Sequence, residues 1–229
     1  MKLSDLLQRL KLAIPNINQT GAEDTYLTEL LNQACNNFLL LTKVWETHTD
    51  FNIIAEISEY DLSVIAPTYL GTSKKGVFFK DSNDKWQYVI PKTQAWLSEI
   101  YPDYLNASSS AIPQWYYIEG NTLGFHPPNS TTKTNGGRLY HLKKSNDMSG
   151  NDDYPFSGSS VEITAFLPAD DALIAYAKWK MSPAFGQVSD QDLREREYLN
   201  ECRKAAKQIK RRRDLTNDSD HKLKLGIGN

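Results

Sequence analysis

The most informative part of the sequence is the segment 112–128, which reads IPQWYYIEGNTLGFHPP. Aromatic and β-branched residues on both sides of Gly120-Asn121 are typical of two strands joined by a tight turn. We therefore expect a β-hairpin that pairs residues 115–118 with residues 123–125. Gly124 is an unusual residue in such a strand, because glycine has no side chain to pack.

The hairpin lies within a region that is rich in turn-forming residues. Residues 67–168 hold eight of the ten prolines and eight of the twelve glycines. Short aromatic or β-branched runs between these residues predict further strands. They are expected at 51–57, 77–80, 86–90, 114–119, 122–126, 139–143 and 161–167. A second hairpin turn is predicted at residues 81–84, and a short helix at 93–101 with Thr93 as its N-cap.

On both sides of this region the apolar residues recur with the helical period. The pattern predicts a helix over 4–14, a longer one over 24–46 that ends beyond Trp45, and a third from Asp170 or Asp171 to Met181. A capping-box pattern at Ser189 and Asp192 predicts a last helix that continues to Arg213. Residues 214–229 are polar and contain Gly226 and Gly228, so we expect an extended tail there.

Together these patterns predict an α+β fold that is mainly a helical bundle, with an inserted small antiparallel β module and an extended C-terminal tail. The predicted domains are a helical domain formed by residues 1–50 and 168–213, a β-rich module at 51–167, and the tail at 214–229. The chain has 229 residues, 40% of them hydrophobic and 24% charged. This composition is ordinary for a soluble globular protein.

The composition also predicts the compartment. The longest apolar run, residues 38–41, is too short to cross a membrane. The N-terminal residues do not resemble a signal peptide. Cys35 and Cys202 lie far apart on helical patterns, which does not indicate a disulfide framework. We therefore expect a soluble intracellular protein with no membrane partner.

Charge is concentrated in the last predicted helix. Residues 191–213 contain nine Lys or Arg and four Asp or Glu, although the whole chain has a net charge of −2. Such a basic segment on an acidic body favours binding to phosphate or to an acidic protein surface. An ordinary solvated helix face is the alternative, since cations near a helix C-terminus are stabilising in themselves. The candidate contact residues are Arg203, Lys207, Lys210, Arg211, Arg212 and Arg213.

The sequence contains no catalytic constellation. Phosphate-binding, zinc-protease and serine-hydrolase motifs are absent, and the four histidines are isolated from other ligand residues. The acidic loop 145–156 resembles a calcium loop, but Phe156 stands where a bidentate Glu is required. We therefore predict no cofactor, no metal and no enzymatic activity.

The order of these elements resembles a known family. A long helix that ends near Trp45 leads to an alternating strand and then to the hairpin at 112–128. A strand at 161–166, Leu167-Pro168 and a helix over 172–180 follow. This order resembles the head–tail connector, or adaptor, proteins of tailed bacteriophages, and the resemblance covers residues 24–213.

The resemblance implies a structural role in the virion. Adaptors of this kind form a homo-oligomeric ring, typically of twelve copies, under the portal in the neck between capsid and tail, after assembly in the host cytoplasm. It implies a portal partner, tail or nozzle proteins as further partners, and non-specific DNA in the channel. On this basis the helical residues would form the ring, and the basic helix would contact the portal or the channel DNA.

The resemblance also implies roles for two further groups of residues. The β module would dock tail proteins through Trp115, Tyr116, Tyr117 and Phe125. The C-terminal tail would bind the portal and become ordered there through Leu215, Leu223, Leu225 and Ile227. Leu223, Leu225 and Ile227 alternate with Lys224 and Gly226, a pattern that suits an extended strand.

Two other functions are compatible with parts of the sequence. The first is a nucleic-acid-binding regulatory protein that uses the basic C-terminal helix. Base readout would require amide side chains on this helix, and Gln208 is the only candidate, so we rank this function second. The second is a divergent hydrolase, which would require a cluster of His and acidic residues that the sequence does not show.

Overall fold

A computed structural model describes residues 1–14, 23–185 and 190–224. The contacts within the chain divide it into two units. The helical unit consists of residues 1–44 and the described residues from 144 onward. The β unit consists of residues 45–143.

Four helices form most of the helical unit: α1 (Leu3–Ala13), α2 (Asp24–Thr42), α5 (Asp170–Met181) and α6 (Gln191–Lys224). α1 and α2 each bury one apolar stripe; in α1 this stripe is Leu3, Leu6, Leu7 and Leu10. α5 is buried on nearly every side, because the six consecutive residues 172–177 are all buried. The prediction that α2 reaches residue 46 is wrong. The helix ends at Thr42 because Lys43 adopts a left-handed conformation with φ of 52°, and Trp45 lies beyond it although its spacing fits the helical stripe.

The β unit contains seven strands. They are β1 (Glu46–Ile53), β2 (Glu59–Asp61), β3 (Tyr69–Lys80), β4 (Trp86–Pro91), β5 (Trp115–Glu119), β6 (Thr122–His126) and β7 (Lys133–Lys143). Two short helices, α3 (Leu62–Ile65) and α4 (Gln94–Ile100), lie in the connections. Thr93 caps α4 as predicted, because its Oγ1 accepts a hydrogen bond from the amide of Trp96 at 3.1 Å.

The strands form one sheet in the order β1-β7-β3-β4-β5-β6-β2. Both predicted hairpins are confirmed: β3 pairs with β4, and β5 pairs with β6, in antiparallel register. The sheet is curled, and Phe51 on its first strand contacts Tyr60 on its last, with ring centroids 5.6 Å apart. Its concave side buries a continuous core, formed by Phe51, Ile53, Val77, Phe79, Val89, Leu123, Phe125 and Leu139.

The predicted fold class, mainly a helical bundle with a small inserted antiparallel β module, is wrong. Helices make up 44% and strands 27% of the structure, so the protein is an α+β fold built around a seven-stranded sheet and not mainly a helical bundle. The sheet is also not purely antiparallel, because β4 and β5 run parallel. This pair joins segments that are distant in sequence, and local patterns carry no information about it.

Two further expectations are corrected. Residues 161–167 form no strand; Thr164–Ala169 form a 3₁₀ helix, and Val161 is 68% exposed. The extended tail is wrong for residues 214–224, which continue α6. This stretch contains neither Gly nor Pro, so nothing in it ends the helix. Residues 225–229 lie outside the described residues.

Candidate functional site

The basic helix α6 is held to the helical unit by one buried stripe. Tyr198, Cys202, Ala205 and Ile209 are buried at helical spacing. The Tyr198 ring packs 5.2 Å from that of Tyr176 on α5. Its hydroxyl donates a hydrogen bond to Asn37 on α2 at 2.7 Å, and burial raises its pKa. One face of α6 is therefore fixed, and the opposite face is exposed.

Most of the predicted contact cations lie on this exposed face. Arg203, Lys207, Lys210 and Arg211 are all exposed. Arg203 donates a hydrogen bond from Nη1 to Asn200 within its own helix at 3.3 Å. The structure thus brings these four residues onto one surface, where they are available to an anion.

Arg212 and Arg213 have a different environment. Arg212 donates a hydrogen bond to the carbonyl oxygen of Thr164 at 3.3 Å, and Arg213 donates one to the carbonyl oxygen of Val44. Both contacts join α6 to other parts of the helical unit. Sequence reasoning grouped all six cations together, because periodicity does not show which side chains meet a backbone carbonyl.

The hairpin residues assigned to tail-protein docking are mostly core residues. Tyr116, Tyr117 and Phe125 are only 5%, 2% and 2% exposed. Burial raises the pKa of Tyr116 to about 12, and the Tyr117 hydroxyl donates a hydrogen bond to Glu59. Trp115 is partly exposed and stacks on His126 with ring centroids 5.6 Å apart. The burial of the other three side chains does not fit the docking role that the sequence suggested.

A different aromatic surface covers the convex side of the sheet. A row of rings crosses β1, β7, β3 and β4, with neighbouring centroids 5.4 to 5.6 Å apart. Three cations lie over rings on this side: Lys75 over Tyr140, and both Lys80 and Arg138 over Trp86. We call this the outer aromatic face; its rings are His48, Tyr140, Phe78, Tyr88 and Trp86.

Sequence reasoning missed this face, although a signal was present. Side chains in a strand alternate between the two sides of a sheet. Val77 and Phe79 are buried in the core, so Phe78 and Lys80 must lie on the convex side. The position of β7 between β1 and β3 then adds Tyr140 and Arg138, and a long-range pairing of this kind could not be predicted locally.

The predicted portal-binding residues of the tail are only partly described. Leu215 and Leu223 lie within α6. Leu225 and Ile227 lie outside the described residues. Their role in portal binding remains a prediction.

Within residues 1–14, 23–185 and 190–224, no three His, Cys, Asp or Glu side chains are grouped so that they could hold a metal ion. None of the helices in the same ranges is long and apolar enough to cross a membrane.

Comparison with known proteins identifies the family. The sequence model of the SU10 adaptor protein family matches residues 1–221. The chain belongs to the SU10 adaptor protein family. The resemblance to phage head–tail adaptors that the sequence suggested is thereby confirmed. No curated protein matches the chain.

Membership in the SU10 adaptor family gives the described surfaces their context. It marks the chain as a structural protein of a bacteriophage. A structural adaptor works by joining other proteins, so its exposed surfaces are the relevant sites. Two exposed surfaces of this SU10 adaptor protein are the basic face of α6 and the outer aromatic face of the β unit.

Proposed function

We propose that this adaptor forms a homo-oligomeric ring under the portal in the virion neck, with the twelve copies that the resemblance implies. It joins the capsid to tail or nozzle proteins, and the basic face of α6 lines the DNA channel or contacts the portal. Family membership carries this proposal. The exposed cations of α6 support it, because they supply a surface for phosphate or carboxylate groups.

The arrangement of these cations favours binding by charge over sequence reading. Lys207, Lys210 and Arg211 present ammonium and guanidinium groups at the surface of one helix. Such groups contact phosphates and position a protein on DNA, but phosphate contacts carry no sequence information. Gln208 is exposed on the same helix, and its amide is of the kind used in base readout. The regulatory function therefore remains the second candidate.

The proposal is tested by reversing two of these charges. We compare Lys207→Glu/Lys210→Glu with the matched control Lys74→Glu/Lys85→Glu, which changes two exposed lysines of the β unit. Binding to purified portal rings and to unrelated DNA duplexes is measured over a range of salt concentrations. The α6 variant should bind one of these partners more weakly. If that partner is DNA, the slope of log K against log salt concentration should also become shallower, by about one unit for each lost phosphate contact.

The control should bind like the wild type. Equal binding by both double variants would show that Lys207 and Lys210 only form a solvated helix face. Strong preference for one DNA sequence would instead favour the regulatory function.

We further propose that tail proteins dock on the outer aromatic face. Tyr88 is 50% exposed there, beside Phe78. Exposed tyrosines and tryptophans are the residues that most often dominate binding energy at protein interfaces. Tyr88→Ala should therefore weaken attachment of tails to filled heads, by about 2 kcal/mol if it is a central contact.

The control for this experiment is Tyr26→Ala, since Tyr26 is 48% exposed on α2. Attachment is measured by electron microscopy of reconstituted particles. If both variants assemble tails equally well, the outer aromatic face is not the docking surface.

A further inference from the structure

The β unit carries a second exposed surface of distinct chemistry. A groove of about 580 Å³ opens beside β1 and β2, the two strands at the ends of the sheet order. Its aliphatic floor is exposed: Ile54 is 50%, Ile57 42% and Val64 75% exposed. No Lys or Arg is among its lining residues. We call it the seam groove.

The rim of the seam groove is acidic. Asp50, Glu59 and Asp61 all line it. Arg138 neutralises Asp50 through hydrogen bonds of 2.6 and 2.8 Å. The hydroxyl and amide of Ser63 donate to Asp61 and hold the pKa of its carboxyl below the usual value, so it is ionised at neutral pH. Glu59 accepts a hydrogen bond from Tyr117 and has no cation beside it in the groove.

This chemistry suits a partner that presents an exposed aliphatic side chain with positive charge next to it along the same surface. The first half of α6 has this pattern. Leu193 is 63% exposed at the start of this helix. Arg196, Asn200 and Arg203 follow at intervals of three, four and three residues, so all four lie on one helical face and line one surface. Glu197 and Glu201 line the same surface, but each forms an ion pair, with Lys178 and Lys204 respectively.

We propose that the seam groove of one copy binds the Leu193–Arg203 face of α6 from a second copy. Leu193 packs on Ile54, Ile57 and Val64, and the two arginines pair with Glu59 and Asp61. Arg196 and Arg203 are about 10 Å apart along the helix axis at 1.5 Å per residue, which brings separate cations to separate carboxylates. This inference rests on the proposed ring function, since it identifies the surfaces that join neighbouring copies.

The proposed contact is heterologous, because a groove on one copy meets a helix on the next. Such contacts generate closed rings when the rotation between copies closes. Of the basic face, Arg203 takes part in this contact, whereas Lys207, Lys210 and Arg211 lie farther along α6 and are left for another partner. Leu193 and Lys210 are separated by about 26 Å of helix, so one helix can bind a neighbour and a DNA or portal partner together.

The test uses one variant for each surface of the full-length chain. The helix variant is Leu193→Glu/Arg196→Glu, and the groove variant is Ile57→Lys/Val64→Lys. The matched controls are Leu12→Glu and Val161→Lys, since Leu12 is 81% and Val161 68% exposed elsewhere. Self-association is measured by sedimentation velocity from micromolar to submillimolar protein, and folding by circular dichroism.

We expect the wild type and both controls to self-associate with rising concentration. Each surface variant alone should be folded and should associate at least about tenfold more weakly, since each loses apolar and charged contacts together. An equimolar mixture of the two variants should form dimers and nothing larger, because the mixture retains one intact helix face and one intact groove.

Several outcomes would overturn the proposal. They are a wild type that stays monomeric over the whole range, surface variants that associate like the controls, and a mixture that gains no dimer. A higher sedimentation coefficient that does not change with protein concentration would indicate that the helix face binds the groove within one chain. This would also contradict a contact between copies. Portal binding by the monomeric variants is measured separately. Self-association without any portal binding would disprove the ring function under the portal while leaving the contact between copies intact.

Discussion

Gly124 lies directly opposite Tyr117 in the β5–β6 hairpin, and the pairing explains a residue that looked out of place in the sequence. A Cβ atom at position 124 would overlap the ring of Tyr117. That ring is only 2% exposed and packs against Tyr104, so it has little room to move. Glycine at this position is therefore required by the buried aromatic ring across the ladder.

The substitution Gly124→Ala should destabilise the protein by about 1–3 kcal/mol, the range typical of overpacking in a core. Gly150→Ala is the matched control, because its Cβ would meet nothing closer than 3.5 Å. The free energy of unfolding is measured by urea denaturation. Equal stability of the two variants would show that the Tyr117 ring can move aside.

The Asp50–Arg138 pair gives a pH-dependent contribution to stability. Arg138 donates two hydrogen bonds to Asp50 and holds the pKa of that carboxyl below its usual value. The pair therefore stabilises the fold fully above the unfolded-state pKa of about 3.9, and the contribution is lost as the pH falls from there through the lowered folded-state pKa.

Asp50→Asn should cost about 1 kcal/mol at pH 7, a modest value because the pair is partly exposed and screened by solvent. The difference from wild type should shrink below pH 4. Thermal unfolding across the pH range measures this. Asp152→Asn serves as control, because it removes a carboxylate that is 79% exposed. A loss of stability in Asp50→Asn that does not change with pH would contradict the role of the Asp50 charge.

At the scale of elements, the sequence predicts a turn or helix correctly wherever residues close together in the chain determine it. The hairpin turns at Asp81–Asp84 and Gly120-Asn121 and the helix capped by Thr93 follow from residues within a few positions of one another. The end of α2 and the segment 161–167 were misjudged, because apolar spacing continues past Lys43 and through Val161 without a corresponding structure. The basic face of α6 was visible in the sequence, but the outer aromatic face required the long-range order of the strands.

The helix α6 provides a test of which cations are structural. Arg211 and Arg213 are both exposed, but Arg213 also donates a hydrogen bond to the carbonyl oxygen of Val44. Arg213→Ala should therefore lower stability by about 1 kcal/mol, the typical net value of a hydrogen bond. Arg211→Ala should change it by less than about 0.5 kcal/mol. Chemical denaturation measures both, and indistinguishable variants would show that the Val44 contact contributes nothing.

At the scale of the whole molecule, the chain enters and leaves the β unit at one point. The amide of Lys143 donates a hydrogen bond to the carbonyl oxygen of Trp45 at 2.9 Å. Glu46 pairs with Leu142 next to it, and the β1–β7 ladder continues from there. The core of the β unit is formed by its own residues. The unit therefore has both the closure and the core of an independent domain.

We expect residues 45–143 to fold alone, and the rest of the chain to fold when a short Gly/Ser linker joins Val44 to Lys144. Each fragment should unfold cooperatively in urea, because each retains its own buried cluster. Circular dichroism and amide exchange measure this. A helical fragment that fails to fold with the linker would show that the β unit is required for the helical core.

The single entry point of the β unit also has a mechanical consequence. A force that draws this unit away from the rest of the chain pulls β1 and β7 at adjacent ends and in the same direction. The two strands then share the tension, and the hydrogen bonds between them are not sheared against one another. The tension passes instead to the β7–β3 ladder, which is the next set of hydrogen bonds in the sheet. Under load, the first rupture should therefore occur beyond the β1–β7 pair, which leaves the junction itself intact.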